Sequence, residues 1–397
     1  MDTISEESPS CNISLNVSED DAVEHEYDST ERILVTIVMP CILTLGLAGN
    51  LGFLFVLWRV TWMRTTLNFY LTHLAIADIL FLSISVMSKV IGYCVSPLAL
   101  DKYFMGVSGC ISVHLLLDIS YFASVILVTL VTLERYYATC QPHLHREHST
   151  RPRAIRFVAI VWGCSLVLAC TLIPSSSNFF TLCLAWPEHV EKYAHYPEIM
   201  GLCLGASDWV GDFADVMHSV PFTIAMFVNI VFFSRIIGAL NSMVARAQRS
   251  GFSDRSQHIR DRVSRMLVIN GVIFFLCLAP FQITTLSYIF NKNANKGDFI
   301  WTQVTRVLVF INSAVNPIVY NVTNPRYRKA FWQAFSIKCA GRGHNHLKNY
   351  LTNRASSMEM NVRGGNTNNT RATCHSNAPN SSVTQQVGPS KATASSF

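Results

Sequence analysis

Residues 125–136 read VILVTLVTLERY, nine uncharged residues that end abruptly at two charged ones. A helix on the surface of a water-soluble protein places polar side chains along one face, every three or four positions. The stretch 125–133 has almost no such face, and neither does the stretch 269–278. Both stretches therefore predict helices that contact lipid or other helices on all sides.

Apolar blocks of this kind recur along the chain. A helix needs roughly 20 apolar residues to cross the hydrocarbon core of a bilayer. The 397 residues are 50% hydrophobic and 14% charged, whereas a soluble domain carries about 25% charged residues. We therefore predict an all-α integral membrane protein, a bundle of seven transmembrane helices. The predicted spans are 33–58, 68–95, 107–140, 154–174, 208–235, 264–290 and 299–322.

Arginine and lysine predict the orientation of the bundle, because cytoplasmic loops carry an excess of both. With the N-terminus outside, the extracellular loops keep only Lys102, Lys192, Lys292 and Lys296. We predict a multi-pass plasma-membrane protein with an extracellular N-terminus and a cytoplasmic C-terminus. The arginines that then lie in or beside cytoplasmic loops are Arg59, Arg64, Arg146, Arg151, Arg153, Arg156, Arg246, Arg249, Arg255, Arg260, Arg262 and Arg265.

The chain divides into four segments. Residues 1–32 form an extracellular segment with ten acidic side chains, and residues 33–322 form the seven-helix domain. Residues 323–339 predict an eighth, amphipathic helix on the inner leaflet, where anionic lipid attracts its basic side chains. Residues 340–397 are rich in Asn, Ser, Thr and Gly and predict a disordered cytoplasmic tail. Basic residues after position 324 are scattered without interleaved aromatics, so we expect membrane lipids and no nucleic acid as partners there.

Three positions are candidates for covalent modification. Asn12 and Asn16 each begin an Asn-x-Ser sequence, the acceptor for N-glycosylation in an extracellular segment. Cys339 follows the eighth helix and is a candidate for palmitoylation. A plain free cysteine is an equally compatible interpretation of Cys339.

Polar residues inside the predicted spans are costly in a membrane and each requires a reason. Asp78 lies near the middle of the second span. Polar residues of three other spans predict a shared hydrated cluster around it, which holds a sodium ion or, alternatively, forms a static hydrogen-bond network. These residues are Asn50, Ser124, Asn312, Ser313 and Asn316.

The third span closes with Glu134-Arg135-Tyr136, 25 positions after Cys110. Those positions correspond to about 37 Å of helix, enough to place Cys110 outside the membrane and Arg135 at its cytoplasmic face. Pro280 and Pro317 each remove a backbone hydrogen bond within a span and predict hinges. An arginine that simply extends to the membrane surface is the alternative interpretation of Arg135.

Taken in order along the chain, these features resemble the signature set of rhodopsin-like G-protein-coupled receptors, over about residues 33–339. The run 310–327 looks most like neuropeptide receptors of the thyrotropin-releasing-hormone, neuromedin and FMRFamide type. The resemblance implies a receptor that activates a heterotrimeric G protein, with arrestin as a further partner. The motifs are Gly49-Asn50, Leu74-x-x-x-Asp78, Glu134-Arg135-Tyr136, Trp162, Phe274-x-x-Cys277-x-x-Pro280 and Asn316-Pro317-Ile318-Val319-Tyr320.

The resemblance also implies roles for individual residues. Arg135 meets the G protein, and Tyr320 swings inward on activation. Cys110 pairs with a cysteine of the second extracellular loop, either Cys183 or Cys203; we prefer Cys183, which leaves a long second half of the loop to cover the pocket. The sodium-binding cluster comprises Asp78, Ser124, Asn312, Ser313 and Asn316. The coupling and activation residues comprise Glu134, Arg135, Tyr136, Pro280, Asn316, Pro317 and Tyr320.

Four positions depart from the family pattern. Leu278 replaces an aromatic residue, Asn229 a tyrosine, His143 an apolar residue and Arg260 an acid that restrains Arg135 in many relatives. We hypothesise that the loss of this restraint raises basal activity. A basal second-messenger level equal to that of mock-transfected cells would contradict this hypothesis.

Side chains of both charge signs predict a ligand pocket that suits a zwitterionic or amidated peptide. Phe310 stands where a light receptor needs its retinal-binding lysine, and Leu117 where amine receptors place an aspartate. Mutual ion pairing is the alternative interpretation of these charges. A small-amine or lipid receptor and a non-signalling scavenger are the rival functions. The pocket residues are Lys89, His114, Asp118, Asp212, His218, Gln282, Thr285 and Arg306.

We do not predict an enzyme or, apart from sodium, a cofactor. The sequence has no metal-ligand spacing such as His-Glu-x-x-His and no paired catalytic groups at one membrane depth. A transporter would show internal repeats or paired broken helices, and neither is found in the sequence.

Overall fold

A computed structural model describes residues 11–250, 255–290 and 299–336. The predicted tail 340–397 and Cys339 lie outside these residues.

Seven long helices cross the molecule, and the predicted bundle is confirmed. The first begins with α2 (Ser29–Ile33), continues through a π-helical turn (Leu34–Val38) and ends with α3 (Met39–Arg59). The six others are α4 (Thr66–Val95), α5 (Gly106–Cys140), α7 (Arg151–Thr171), α8 (Asp208–Ser250), α9 (Arg255–Phe290) and α10 (Phe299–Thr323).

By length and composition, six helices among the described residues are long and apolar enough to span a membrane. The helix outside this set is α10, where polar residues interrupt the apolar sequence. Gln303, Thr305, Asn312 and Asn316 are nevertheless buried. The polar side of α10 therefore faces the other helices.

The ends of α7, α8 and α9 differ from the predicted spans. Helix α8 continues to Ser250, well beyond the predicted end at 235, and α9 begins at Arg255 instead of 264. The added turns are rich in basic and polar residues, so hydropathy misses helices that extend into water. Helix α7 begins three residues early, because Pro152 suits the first turn of a helix.

One end of the bundle carries a small folded layer that the sequence did not predict. Strands β1 (Ile13–Asn16), β2 (Asn178–Ala185) and β3 (Ile199–Leu204) form a sheet in which β1 pairs parallel and β3 antiparallel to β2. Helix α1 (Glu19–His25) follows β1. We call β1, α1, β2 and β3 the cap. The all-α prediction holds for the bundle and not for the cap.

The cap has its own apolar core and surface ion pairs. Val17 and Ala22 pack with Leu184 and Met200 in this core. Glu26 accepts hydrogen bonds from Lys192 Nζ at 2.5 Å and from the Tyr196 hydroxyl at 3.1 Å. The hydrogen bond with Glu26 raises the pKa of Lys192. The N-terminal segment is therefore packed against the loop between α7 and α8.

One disulfide lies within the cap end and a second joins the cap to α5. The second corrects our preferred partner for Cys110. Cys110 pairs with Cys203, not with Cys183 as we preferred. Cys183 instead bonds Cys11, with 5.6 Å between the Cα atoms. The preference was wrong because Cys183 lies on β2 opposite the N-terminal strand, with Ser14 as its direct partner in the register.

The opposite end of the bundle carries α11 (Pro325–Phe335), which confirms the predicted eighth helix as far as Phe335. Asn324 caps this helix by accepting a hydrogen bond from the backbone of Arg326. Tyr327 is buried and donates its hydroxyl to Asn68 at 2.5 Å. The Phe335 ring lies 5.2 Å from that of Phe55. Helix α11 is thereby attached to α3 and α4. We call the end of the bundle that carries this helix the α11 end.

A short helix of seven residues, α6 (Pro142–His148), lies between α5 and α7 at the α11 end. Its last residues lead through Ser149 into α7. This loop therefore lies beside the end of α5, where the Glu134-Arg135-Tyr136 motif is found.

Candidate functional site

A cavity of about 290 Å³ lies between the helices on the cap side of the bundle. Five of the eight predicted pocket residues line it, namely Asp118, His218, Gln282, Thr285 and Arg306. They come from α5, α8, α9 and α10, so one ligand could contact four helices. The other lining residues are Phe81, Leu117, Tyr121, Asp215, Leu278, Phe281, Val309 and Phe310.

An acid–base pair marks one wall of this cavity. Asp118 Oδ1 and His218 Nε2 lie 2.9 Å apart, joining α5 to α8. The His218 ring stacks on Phe122, with 6° between the ring planes. The imidazole is thus held in one orientation, and the pair fixes the relative position of the two helices.

A chain of hydrogen bonds continues from this pair to α9. The Tyr121 hydroxyl donates to the backbone carbonyl of His218 at 3.0 Å and accepts from Gln282 Nε2 at 2.9 Å. Ser219 Oγ in turn donates to Gln282 Oε1 at 2.8 Å. Gln282 and Ser219 are buried. A ligand that displaces any member of this chain would change the contacts among α5, α8 and α9.

Three predicted pocket residues are not among those that line the cavity. Lys89 interacts electrostatically with Lys102, Arg306 and Glu31. His114 Nδ1 lies 2.7 Å from the Cys110 carbonyl, a contact within its own helix. Asp212 lies one helical turn before Asp215, which does line the cavity.

The sequence analysis did not select Asp215 and Tyr121 as pocket residues. Asp215 lies three positions before His218 on α8, so helical spacing to a selected residue was a usable signal. Tyr121 lies three positions after Asp118 on α5 and offered the same signal. Their contacts across helices depend on packing, which spacing alone does not provide.

The predicted polar cluster surrounds Asp78, which is fully buried. Asn316 Nδ2 donates to Asp78 Oδ2 at 2.7 Å, joining α4 to α10. Asn50 Nδ2 donates to the backbone carbonyls of Gly46 and Ser313, each at 3.0 Å. The structure therefore brings Asn50, Asp78, Ser313 and Asn316 together.

Several oxygen atoms of this region have no hydrogen-bond partner among the described residues. They are Asp78 Oδ1, Asn50 Oδ1 and Asn312 Oδ1, all enclosed. Ser124 on α5 is also buried. Unpaired buried oxygens are costly, and carboxylate and amide oxygens are suitable ligands for a hard cation. The donor set thus fits a small cation.

A second cavity, of about 260 Å³, lies at the α11 end and includes Glu134 and Arg135 in its lining. Ser149 Oγ donates to Glu134 Oε1 at 2.6 Å, and His145 Nδ1 lies 3.6 Å from the same oxygen. Helix α6 and the residue that follows it therefore contact Glu134, the acidic residue of the motif. The sequence analysis did not anticipate these two partners.

Arg135 is partly buried, and its Nε is enclosed without a hydrogen-bond partner in the described part of the chain. Its charge interacts with Glu134 and Tyr327. Tyr136 packs against Phe232 of α8, with 5.2 Å between ring centroids. The Tyr320 hydroxyl is likewise enclosed without a partner among the described residues.

The four departures from the family pattern have different surroundings. Leu278 is buried and lines the first cavity. Asn229 is buried and donates to Thr129 Oγ1 at 2.8 Å. His143 is exposed on α6. The side chain of Arg260 lies outside the described part of the structure.

Residues 49–320 match the family described as 7 transmembrane receptor (rhodopsin family). The chain belongs to this family, and it is a receptor of the G-protein-coupled class and not an enzyme.

Within this family, the chain is similar to several receptors that are named for neuropeptides. The pyrokinin-1 receptor of Drosophila melanogaster is 26% identical, over 81% of this chain and 84% of its own length. Neuromedin-U receptor 2 of Homo sapiens is 27% identical, over 76% of this chain and 71% of its own length. Galanin receptor 2a of Danio rerio is 24% identical, over 84% of this chain and 86% of its own length. The resemblance to neuropeptide receptors is thereby confirmed.

Proposed function

We propose that this receptor binds an extracellular peptide in the cavity of Asp118, His218 and Arg306 and activates a heterotrimeric G protein. The observation that carries the proposal is a cavity with side chains of both charge signs, contributed by four helices. The relatives, named as receptors for pyrokinin, neuromedin U and galanin, support a peptide ligand.

The proposed orientation places the cap outside the cell and α11 in the cytoplasm, in the plasma membrane. Two disulfides at the cap end suit an oxidising compartment. The basic side chains of α11 suit the anionic inner leaflet. In this orientation the peptide reaches the first cavity from the extracellular side.

The cavity suits the end of a peptide more than a whole one. Its volume of about 290 Å³ lies at the lower limit of the roughly 300–1,000 Å³ typical of ligand sites. The remainder of the peptide would then contact the cap. Acidic residues of the N-terminal segment, such as Glu19 and Asp28, would attract a basic peptide over a longer range.

Binding alters the receptor by a population shift, limited by the difference in ligand affinity between two helix arrangements. A ligand in the cavity touches Gln282, two positions after Pro280. Pro280 lacks a backbone donor and allows the two halves of α9 to bend. Outward movement of the cytoplasmic half of α9 would open the crevice beside Arg135.

The G protein would dock at the cavity of the α11 end. Glu134 is engaged there by Ser149 and attracts Arg135. A G-protein segment that offers better contacts to Arg135 would replace this resting attraction, and nucleotide would leave the G protein. Arrestin would compete for the same crevice.

A sodium ion is the one cofactor we propose. Asp78, Ser124, Asn312, Ser313 and Asn316 would hold it, and the enclosed oxygens of Asp78 and Asn312 support this assignment. A bound cation would neutralise the buried carboxylate. It would also link α4 to α10 and so favour the resting arrangement.

Two asparagines and one cysteine are the proposed sites of covalent modification. Asn12 Oδ1 accepts hydrogen bonds from the Thr181 backbone at 2.8 Å and hydroxyl at 3.0 Å. Asn16 is exposed on the same strand. We propose glycans at both asparagines and palmitate at Cys339.

The test is a calcium and cyclic-nucleotide screen of amidated and free-acid neuropeptides on cells that express the receptor. Arg135→Ala is the silent control, because it keeps the cavity and removes the G-protein contact. A peptide that activates the receptor but not this variant supports the proposal. A ligand that binds without nucleotide exchange would identify a scavenger, and activation by amines or lipids alone would exclude the peptide.

A further inference from the structure

A third cavity, of about 530 Å³, lies at the tip of the hairpin that β2 and β3 form. We call it the tip pocket. Its lining comes from one segment of the chain, residues 184–198, and shares no residue with the first cavity or with the cavity at the α11 end. The tip pocket is therefore a surface feature of the cap, separate from the space between the helices.

Three aromatic side chains form one wall of the tip pocket. The rings of Trp186 and Tyr193 stack with 5.4 Å between their centroids, and Tyr196 meets them edge-on at 5.3 and 5.2 Å. The Trp186 indole donates a hydrogen bond to the Pro197 carbonyl at 3.0 Å. Tyr193 is buried, whereas Trp186 and Tyr196 are partly exposed. The wall is thus held in place and leaves two rings accessible to a ligand.

The chain already places one cation against this wall. Lys192 Nζ lies over the Tyr193 ring at 5.2 Å from its centroid and over the Tyr196 ring at 6.0 Å. The electron-rich face of an aromatic ring attracts a cation within about 6 Å. Lys192 is paired with Glu26 and does not line the tip pocket. The lined space therefore stays open to a second cation.

Two carboxylates complete the lining. Glu188 and Glu198 line the tip pocket, and no Lys, Arg or His is among the described residues that do so. Both side chains are exposed. Neither forms an ion pair or a hydrogen bond with another described residue. The tip pocket thus offers two unpaired negative charges beside an aromatic wall.

A guanidinium group matches this combination. It is planar, stacks on aromatic faces and donates two parallel hydrogen bonds to a carboxylate. An ammonium group is a compact, strongly hydrated charge that does not stack. Calcium takes six to eight oxygen ligands, and aromatic rings supply none. The chemistry of the lining therefore favours arginine over lysine and over a metal ion.

We infer that the tip pocket binds an arginine side chain of the peptide ligand, as a second subsite outside the first cavity. Trp186 and Tyr196 contact the guanidinium, and Glu188 and Glu198 accept its hydrogen bonds. The inference rests on the proposed function for the source of this arginine. The affinity of the pocket for a guanidinium does not depend on that function.

The path between the two subsites limits where the arginine lies in the peptide. Cys203 lies four positions after Ile199 on β3, and Asp118 lies eight positions after Cys110 on α5. With the disulfide between them, 5.7 Å from Cα to Cα, this path measures no more than about 31 Å. An extended peptide covers it with about nine residues. We therefore expect the arginine within about nine residues of the peptide end that enters the first cavity.

The first experiment measures binding of Nα-acetyl-L-arginine amide to the purified receptor by saturation-transfer difference NMR. The receptor is held in phosphatidylcholine nanodiscs, whose lipid has no net charge. We expect the arginine amide to bind and its neutral isostere, Nα-acetyl-L-citrulline amide, to give only the signal of empty nanodiscs. Glu188→Gln and Glu198→Gln should each raise the dissociation constant about threefold, as expected for one exposed carboxylate. Equal binding of the arginine and citrulline amides would overturn the inference.

Glu191→Gln is the matched control. Glu191 is exposed in a 3₁₀ turn of the same loop (Glu191–His195), but it does not line the tip pocket. Its substitution removes the same charge and should leave the dissociation constant unchanged. All three glutamates are exposed and glutamine has the same shape, so the variants keep the fold. An equal rise in all three would show that the net charge of the cap, and no defined pocket, attracts arginine.

Asp118→Asn tests whether the probe binds in the first cavity instead. Asp118 and Asp215 both line that cavity, and their carboxylates could accept hydrogen bonds from an arginine. We expect the dissociation constant of the arginine amide to stay unchanged in Asp118→Asn. A rise in this variant, with no change in Glu198→Gln, would move the arginine to the first cavity and overturn the inference.

Two competing cations test the aromatic wall. Nα-acetyl-L-lysine amide carries the same charge as the arginine amide but has no planar group to stack, so it should bind more weakly. Equal dissociation constants for the two amides would contradict a guanidinium site. Displacement of the arginine amide by low-millimolar calcium would reveal a divalent-cation site and would likewise overturn the inference.

A second measurement separates this inference from the proposed function. Each peptide that activates the receptor in the screen is compared with its arginine-to-citrulline counterpart. The citrulline form should lose about threefold in potency on the wild-type receptor and nothing on Glu198→Gln, with the same maximal response. Equal losses on both receptors would exclude the second subsite and leave the proposed function intact. If no peptide activates the receptor although the arginine amide binds, the proposed function fails and the guanidinium site stands.

Discussion

Glu134 carries a negative charge that attracts Arg135, and we propose that this attraction restrains Arg135 before activation. Glu134→Gln keeps an acceptor for Ser149 and removes this charge. We expect basal nucleotide exchange on a purified G protein to rise about fivefold, equivalent to about 1 kcal/mol for two opposite charges that are partly exposed. Glu147→Gln, on the exposed side of α6, is the control. Unchanged exchange in Glu134→Gln would show that Glu134 does not restrain Arg135.

Asp118 contributes a negative charge from α5 to the lining of the first cavity, the proposed ligand site. Asp118→Asn keeps a polar partner for His218 and removes the negative charge. We expect the half-maximal concentration of an activating peptide to rise about tenfold or more, because a charged contact of the ligand is lost. Asp212→Asn, outside the cavity lining, provides the comparison. Equal potency of both variants would place the cationic group of the ligand elsewhere.

Asp78 is the only carboxylate of the central polar cluster among the described residues. If sodium binds there and favours the resting arrangement, replacing potassium by sodium lowers agonist affinity in the wild-type receptor. Asp78→Asn should abolish this ion dependence, because the amide carries no charge. Equilibrium binding in matched sodium and potassium buffers measures the effect. A persistent sodium effect in Asp78→Asn would exclude this cluster as the ion site.

Helices α8 and α9 approach closely at Gly271. A Cβ atom at this position would lie 2.3 Å from the Phe233 ring. Gly271→Ala should therefore destabilise the receptor by about 1–3 kcal/mol through overpacking, and Phe233→Leu should restore part of the loss. Thermal unfolding of purified protein measures both effects. Gly163→Ala is the control, since a Cβ there meets no atom within 4 Å; equal melting temperatures would contradict the close approach.

Strand β1 is attached to the sheet by backbone pairing and by Cys11. Cys11→Ala removes a link across 172 positions, and disulfides typically contribute about 2–4 kcal/mol. We expect faster proteolysis of residues 11–28 on intact cells, while basal G-protein activation stays unchanged. Cys41→Ala, which removes a free cysteine, should leave the proteolysis rate at the wild-type value. Equal rates for the two variants would mean that pairing alone secures the cap.

For the receptor as a whole, the sequence predicts the membrane helices better than their surroundings. Long apolar runs predict six of the seven helices directly, because crossing a bilayer demands length and apolar composition, whereas in α10 polar residues interrupt the run. The cap escapes prediction because β1 has only four residues, and its pairing with β2 depends on contacts between distant segments. Spacing alone could not decide between Cys183 and Cys203 for the same reason.

The candidate site was predictable in part. Charged residues such as Asp118 and Arg306 are conspicuous in a membrane span, because burying them is costly. Tyrosine is common in apolar helices, so the sequence does not single out Tyr121. Its position in the hydrogen-bond chain follows only from how α5, α8 and α9 pack. Ser149 contacts Glu134 through the geometry of a loop, which residue spacing does not determine.

The two disulfides meet on one hairpin, since Cys183 lies on β2 and Cys203 on β3. A protease that cuts the chain between α1 and α2 would thus release nothing. The severed piece would remain crosslinked through the hairpin to Cys110 on α5, and only a reductant would free it. Release of the N-terminal piece that carries β1 and α1 would consequently require two chemical events, peptide cleavage and thiol exchange.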